Sequence, residues 1–259
     1  MEIGQDASVS RLEYISNIVD EVGYESILLV YHSKMDDNWI KAARVLNKDH
    51  SFKYMPAVRT YSISPEYCAM ICKSFANISK NRLMLNIVSG DIHSDETSIN
   101  DLIWLGEDLN TPEKRLSYTD EWIKKFIELV GDALPGIVMA GHSDKTKSMA
   151  EKFGGMQLAM LNMYKQAFSS PGFVKNTNQM VSLGVIINDS ADEIEKLINS
   201  FGWSKEWTIY GDQAKVKKEL YELKNLGITD LMIRPHPEDN NLSLLHKTIK
   251  EMIGEQNGI

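Results

Sequence analysis

Cysteine is nearly missing from this chain of 259 residues: only Cys68 and Cys72 occur. Two thiols four residues apart on one helical stripe exclude a disulfide framework and fit buried, reduced side chains in a reducing cytoplasm. Other signatures are missing too. There is no HExxH, no paired CxxC, no GxxxxGK[ST] and no GxSxG, so zinc-hydrolase, P-loop and serine-hydrolase chemistries lack their residues, and no metal site is expected. A glycine-rich dinucleotide turn is absent as well, which argues against NAD held in the Rossmann manner. No apolar run approaches membrane-spanning length, and the opening MEIGQDASVSRLEY lacks a signal peptide's apolar core, so a cytoplasmic protein is the expectation. Basic residues do not cluster, and the formal charge is −8. Phosphate-rich nucleic acid is therefore not an expected partner.

What is present is organised around Phe52–Asp91. Phe52–Val58 is short and apolar, as a strand buried on both faces should be. Ser64-Pro65 opens a helix, with serine as cap and proline at a position where its missing N–H costs nothing. Cys68, Ile71, Cys72, Phe75 and Ile78 then form an apolar stripe, Asn81 closes the helix, and Leu83–Val88 is a second buried strand. Buried strands joined by a helix run parallel, with a right-handed crossover.

The rest of the chain repeats this unit. A helix ending at Gly23 carries Leu12, Ile15, Ile18, Val19 and Val22 on one face, capped by Ser8 or Ser10. Further strands are expected at Ser26–Tyr31, Gly136–Ala140, Met156–Met163, Val181–Ile187 and Asp230–Arg234, with Trp207–Tyr210 a short extended piece. Helices fill the intervals, including one from Thr111-Pro112 and one from the capping box at Ser190. Seven strong strands in a chain of this length predict one α/β domain over residues 1–259, a (β/α)8 barrel rather than an open doubly wound sheet. An eighth strand would have to lie in Met1–Gln5. The unpatterned stretch Ile92–Asn110 is expected to be a loop over the barrel mouth.

In such a barrel the active face lies at the C-terminal ends of the strands. That singles out His32, Arg59, Tyr61, Asn86, Ser89, His142, Asn162 and His236. Gly141-His142-Ser143 is the phosphate candidate, a strand end followed by the free N–H groups of a helix start; an ordinary capped turn is the plainer alternative. Arg59 could hold an anion by bidentate hydrogen bonds or pair with a neighbouring carboxylate. Asn86 is conspicuous in the apolar run LMLNIV. It could satisfy buried backbone or meet a ligand. His32 and His236 could move protons near neutral pH. His50, His93 and His246 are expected at the surface.

The run MPAVRTYSISPEYCAMICKSFANISKNRLMLNIVSGD resembles the third and fourth units of the luciferase-like flavin monooxygenases, most closely the FMNH2-dependent alkanesulfonate monooxygenases. Matching elements are Ala57-Val58-Arg59, Ser64-Pro65, Ile78–Arg82 and Asn86–Gly90. Gly23-Tyr24 through Asp37-Asn38-Trp39, Ala140–Asp144 and Gly211-Asp212 to Leu226–Ile228 follow in the family's order. The resemblance implies a luciferase-like barrel lacking the long lid insertion. It implies catalytic roles for His32, Arg59 and His236, and FMN contacts from Ala57, Asn86, Ser89, Gly141, His142 and Ser143. It further implies O2, a small organic substrate with organosulfur compounds among the candidates, a separate flavin reductase and a homodimer. F420 is an alternative cofactor within the same fold, and a non-catalytic flavin binder an alternative role. The chain departs from the sulfonate enzymes at Met35, Ser182, Gly184, His236 and Glu238, where that family carries Cys, Arg, His, Tyr and His.

Overall fold

The computed structural model describes residues 2–3, 9–31, 37–46, 50–79, 81–90, 109, 111–141, 143–169, 178–200, 202–228, 230–235 and 242–257. Its strands are β1 (Glu2–Ile3), β2 (Ser26–Leu29), β3 (Lys53–Arg59), β4 (Met84–Val88), β5 (Gly136–Ala140), β6 (Met156–Met160), β7 (Gln179–Ile187), β8 (Thr208–Gly211) and β9 (Asp230–Pro235). Every pairing is parallel, and β1 to β7 lie in chain order around the sheet. β9 pairs with β7 over Met180–Val185 and reaches round to β1. The circuit β1 to β7 and then β9 is the expected (β/α)8 barrel. The first strand lies within the expected segment and is two residues long, with Glu2 and Ile3 opposite Leu28 and Leu29.

β8 is the exception in this plan. β7 gives one edge to β9, so β6 and β8 must share the other: β6 takes Gln179–Ser182 and β8 takes Gly184–Ile187. The expected extended piece at Trp207–Tyr210 is thus a real strand that prolongs the wall above β6. A second correction concerns Met156–Met163. The strand stops at Met160, and Leu161–Phe168 is helical. Leu161 and Tyr164 are buried at helical spacing and pack in the outer core beside Phe168. An apolar run alone does not separate strand from helix.

The helices are α1 (Val9–Val22), α2 (Asn38–Leu46), α3 (Pro65–Ser79), α4 (Pro112–Val130), α5 (Asp144–Lys152), α6 (Leu161–Phe168), α7 (Ala191–Ser200), α8 (Gln213–Asn225) and α9 (Leu242–Asn257). None of the described helices is long and apolar enough to cross a membrane. Ser64 caps α3 by accepting from the Tyr67 N–H at 3.2 Å, and Asn81 ends its turn at φ 65°. The stripe of α3 needs one change. Cys68, Cys72 and Phe75 are buried, whereas Ile78 is 58% exposed and Ser79 is buried. At about 100° per residue, Ile78 lies roughly 80° off the axis set by Cys68, and Ser79 only about 20° off.

Side chains divide by strand parity. Leu28, Met55, Ala57, Val138, Leu158, Met180 and Met232 fill the barrel interior. The alternate residues face outward into two helix-covered cores, one over β2 to β5 and one over β7 to β9. His50 is not a surface residue: its side chain is 7% exposed, stacked on Phe52 at 5.0 Å, with Nδ1 3.8 Å from Asp20. Asp20 accepts from the Ser51 hydroxyl and N–H at 2.6 and 2.8 Å, which lowers its pKa. This cluster lies at the strands' N-terminal ends, the face that serves stability in such barrels. His246 is half-buried against Tyr24, and burial lowers its pKa. His93 lies outside the described residues.

Candidate active site

The interior parity of β3 runs Met55, Ala57, Arg59, and that of β4 runs Met84, Asn86, Val88. Register places Ala57 beside Asn86 and Arg59 beside Val88. Arg59 therefore stands at the mouth. Its guanidinium lies over the Tyr31 ring, 5.1 Å from the centroid, and its Nη1 donates to the Tyr61 hydroxyl at 2.5 Å. Rings on a guanidinium face orient it while leaving it charged.

Tyr61 is fixed in turn. Its ring presses on Gly90 so closely that a Cβ there would sit 2.9 Å from Cε1. Gly90 is held by Arg115, a buried side chain of α4 whose Nε donates to the Gly90 carbonyl and whose Nη1 donates to that of Leu109, both at 3.2 Å. One guanidinium thus ties the two flanks of segment 91–108. Asn38, also buried, ties the tops of β2 and β3 by donating to the carbonyls of Ala57 at 2.7 Å and Leu29 at 3.3 Å. Thr60 and Thr119 share a buried 2.9 Å hydroxyl contact that joins β3 to α4.

Below Arg59, Asn86 is 5% exposed and its Oδ1 has no hydrogen-bond partner among the described residues. Ser182, inward-facing on β7, is in the same condition at Oγ, and so is Asn162 Oδ1 at the start of α6. Leaving a buried polar atom unpaired costs about 1–3 kcal/mol. Two such atoms, on β4 and β7, therefore face the interior of an otherwise apolar barrel.

The turn after β5 is built from within. Gly141 has φ +139°, and a Cβ there would meet Thr146 Oγ1 at 2.8 Å. Ser143 caps α5, its hydroxyl accepting from the Thr146 N–H at 3.1 Å. Gln179 donates to Gln157, which donates to the Gly141 carbonyl at 2.9 Å. The glycine is thus needed for packing against α5, whatever binds above it. Ser89 is half-buried at the end of β4. His32, Met35, His142, His236, Glu238 and all of Ile92–Asn110 except Leu109 lie outside the described residues, so the placing of the three histidines and of the expected lid is not part of this geometry.

Three residues beside the upper parts of β7 to β9 gave no signal of their own in the sequence: Trp203, Trp207 and Arg234. The Arg234 guanidinium lies 5.2 Å from the Trp207 ring centroid, and the two indoles are 5.0 Å apart. The only hint was Gly184 inside VSLGVII, since glycine within a strand marks close approach of another group. A groove of about 540 Å³ also opens outside the barrel between α4 and α5, lined by Glu113, Asp120, Lys145 and Lys152 among others. Burial raises the Asp120 carboxyl, but hydrogen bonds from Lys124 and Lys152 outweigh it and the net pKa is lowered. These are salt-bridged surface groups, remote in type from the strand-end cluster.

A parallel barrel with its polar groups gathered at the strand ends defines the class of this fold. No family model matches the chain. Among solved structures the chain is similar to an EDTA monooxygenase from Chelativorans sp. BNC1, at TM-score 0.72 and 12% identity over 96% of this chain and 87% of the other. It is also similar to a riboflavin lyase with modified FMN and riboflavin, at TM-score 0.72 and 12% identity over 96% and 85%. An F420-dependent secondary alcohol dehydrogenase with an F420–acetone adduct matches at TM-score 0.68 and 12% identity over 96% and 95%. At that identity the likeness is one of fold.

Proposed function

We propose that this protein is a flavin-dependent oxidoreductase, an FMNH2-dependent monooxygenase that receives reduced flavin from a separate reductase and oxidises a small organic molecule with O2, organosulfur compounds being the class the sequence resemblance favours. The observation that carries this reading is the pair of buried atoms without a partner among the described residues, Asn86 Oδ1 and Ser182 Oγ, with Arg59, Tyr31 and Tyr61 gathered above β2 and β3 and Trp203 resting on Gly184. A flat heterocycle with polar edges would supply partners to those atoms and aromatic and cationic groups to its faces. When bound, reduced flavin supplies the electrons with which O2 is activated. The chain's own residues do the rest. Asn86 orients the ring's polar edge, Arg59 holds an anionic group of flavin or substrate, and the aromatic walls exclude water. Ala57 and Ser89 border the ring, and the first-turn N–H groups of α5, following Gly141 and His142, take the phosphate beside the Ser143 hydroxyl. His32 and His236, which follow β2 and β9 in the sequence, would move protons.

F420 is the second reading, favoured by the solved F420-dependent dehydrogenase of the same fold. A cytoplasmic homodimer completes the proposal. Tyr14, Ile40, Tyr67 and Met70 are exposed on α1 to α3, and such apolar side chains on adjoining helices suit a second copy. A monomer mass by light scattering at micromolar concentration would count against the dimer.

Asn86→Leu tests the site. It removes an unpaired polar atom from the core, so urea unfolding of the flavin-free protein should show unchanged or slightly raised stability. Equilibrium dialysis should show FMN affinity down by about tenfold, the loss of one hydrogen bond from a desolvated site. Unchanged FMN binding would remove Asn86 from the flavin site.

A further inference from the structure

The inward face of β7 carries Met180, Ser182 and Gly184 in succession from the barrel interior toward the mouth, and Gly184 pairs with Arg234 on β9. Gly184 has no side chain, but its place is taken. A Cβ there would lie 2.6 Å from Trp203 Cζ3, 2.8 Å from Cε3 and 3.1 Å from Thr208 Oγ1. The six-membered ring of the indole therefore rests directly on the inward side of the strand.

Local structure puts it there deliberately. α7 ends at Ser200, Gly202 turns the chain at φ +62°, and the Trp203 N–H donates back to the Ile198 carbonyl at 2.9 Å. The chain then returns as β8, with the Gly184 N–H donating to the Trp207 carbonyl at 3.0 Å and Thr208 Oγ1 donating to the Ser204 carbonyl at 2.8 Å. Ile186, Ile194, Leu197 and Ile198 back the ring from behind. Trp203 is only half-buried, so the residue is not sealed in that small core. In an eight-stranded barrel β3 and β7 stand opposite one another. The mouth thus has a cationic, phenolic wall at Arg59 and Tyr61, and an indole wall facing it.

We propose that Trp203 is a flavin-contact residue: its indole forms the β7-side wall of the cofactor cavity, in ring contact with bound isoalloxazine, and sets the room left for substrate there. This rests on the flavin reading above. A side chain at position 184 and the indole at 203 cannot both occupy that wall.

The test uses FMN as the probe and reads its own emission. An indole in ring contact donates an electron to the excited flavin and quenches it, so FMN bound to the native protein should be nearly dark. Trp203→Phe keeps the seat on Gly184 but replaces the indole, and should brighten bound FMN severalfold at saturation matched by equilibrium dialysis. Trp207→Phe, one ring further away, should brighten it less. Trp203→Ala should also weaken FMN binding by about three- to tenfold, the loss of one aromatic contact. Equal quenching in the native and Trp203→Phe proteins, with FMN bound in both, overturns the role of Trp203 and leaves the flavin reading intact. Failure of the native protein to bind FMN at all overturns both.

Discussion

Gly141→Val should lower the thermal unfolding midpoint by about 6–12 °C, because left-handed backbone strain and overpacking together cost roughly 3 kcal/mol or more in a domain of this size. The residue sits at φ +139°, where a branched side chain is disfavoured, and its Cβ would meet Thr146 Oγ1 at 2.8 Å and Cγ2 at 3.1 Å. Thr146 cannot easily retreat. Its N–H and hydroxyl are both engaged with Ser143, at 3.1 and 2.9 Å. Two controls separate the causes. In a Thr146→Ala background the same substitution should cost less, since the clash is relieved while the backbone strain stays. Gly154→Ala, at φ +65° in the turn that closes α5, with nothing within 4 Å of its Cβ, should cost only about 1 kcal/mol. Circular-dichroism melts of the native protein, Gly141→Val, Thr146→Ala, the double variant and the alanine control decide it. A Gly141→Val protein as stable as the native one would refute the packing role and return the glycine to ligand binding alone.

Arg115→Met should be the most destabilising change near the mouth that touches no ligand. It leaves the carbonyls of Gly90 and Leu109 without their charged donor, at about 1.5–3 kcal/mol for each such bond. Arg115→Lys should fall between, since one ammonium cannot reproduce the two-pronged fork. The loss also travels. Gly90 braces Tyr61, and the Tyr61 hydroxyl accepts a hydrogen bond from Arg59, so the methionine variant should bind FMN or an anionic substrate analogue more weakly even at temperatures where it is fully folded. Urea midpoints ranked native, Lys, Met support this order. A methionine variant of native stability would mean that the two carbonyls are satisfied by other groups.

How much of this was legible in the sequence can be judged residue by residue. Local chemistry marked the elements well. Ser64-Pro65, Asn81, Thr111-Pro112 and the serine before α7 each opened or closed a helix where expected, because caps and left-handed turns are decided within a few residues. Asn86 stood out as the polar residue in an apolar strand, and its Oδ1 has no partner among the described residues. Arg59 was visible at a strand end, although its partners Tyr31 and Tyr61 came only from the fold. Hidden were the roles of Asn38, Arg115 and the Gln157–Gln179 pair, whose bonds join segments many residues apart. Trp203 was hidden for a different reason. It reads as an ordinary loop tryptophan until the pairing of β8 with the top of β7 seats it on Gly184.

The central claim, that the strand-end mouth holds the cofactor, is most directly tested by crystals of the native protein soaked in FMN. The expected result is density for an isoalloxazine ring inside the mouth, with a polar edge within hydrogen-bond distance of Asn86 and a face or edge against Trp203. A ring seated instead in the groove between α4 and α5, or no ring at saturating FMN and F420 alike, would contradict it.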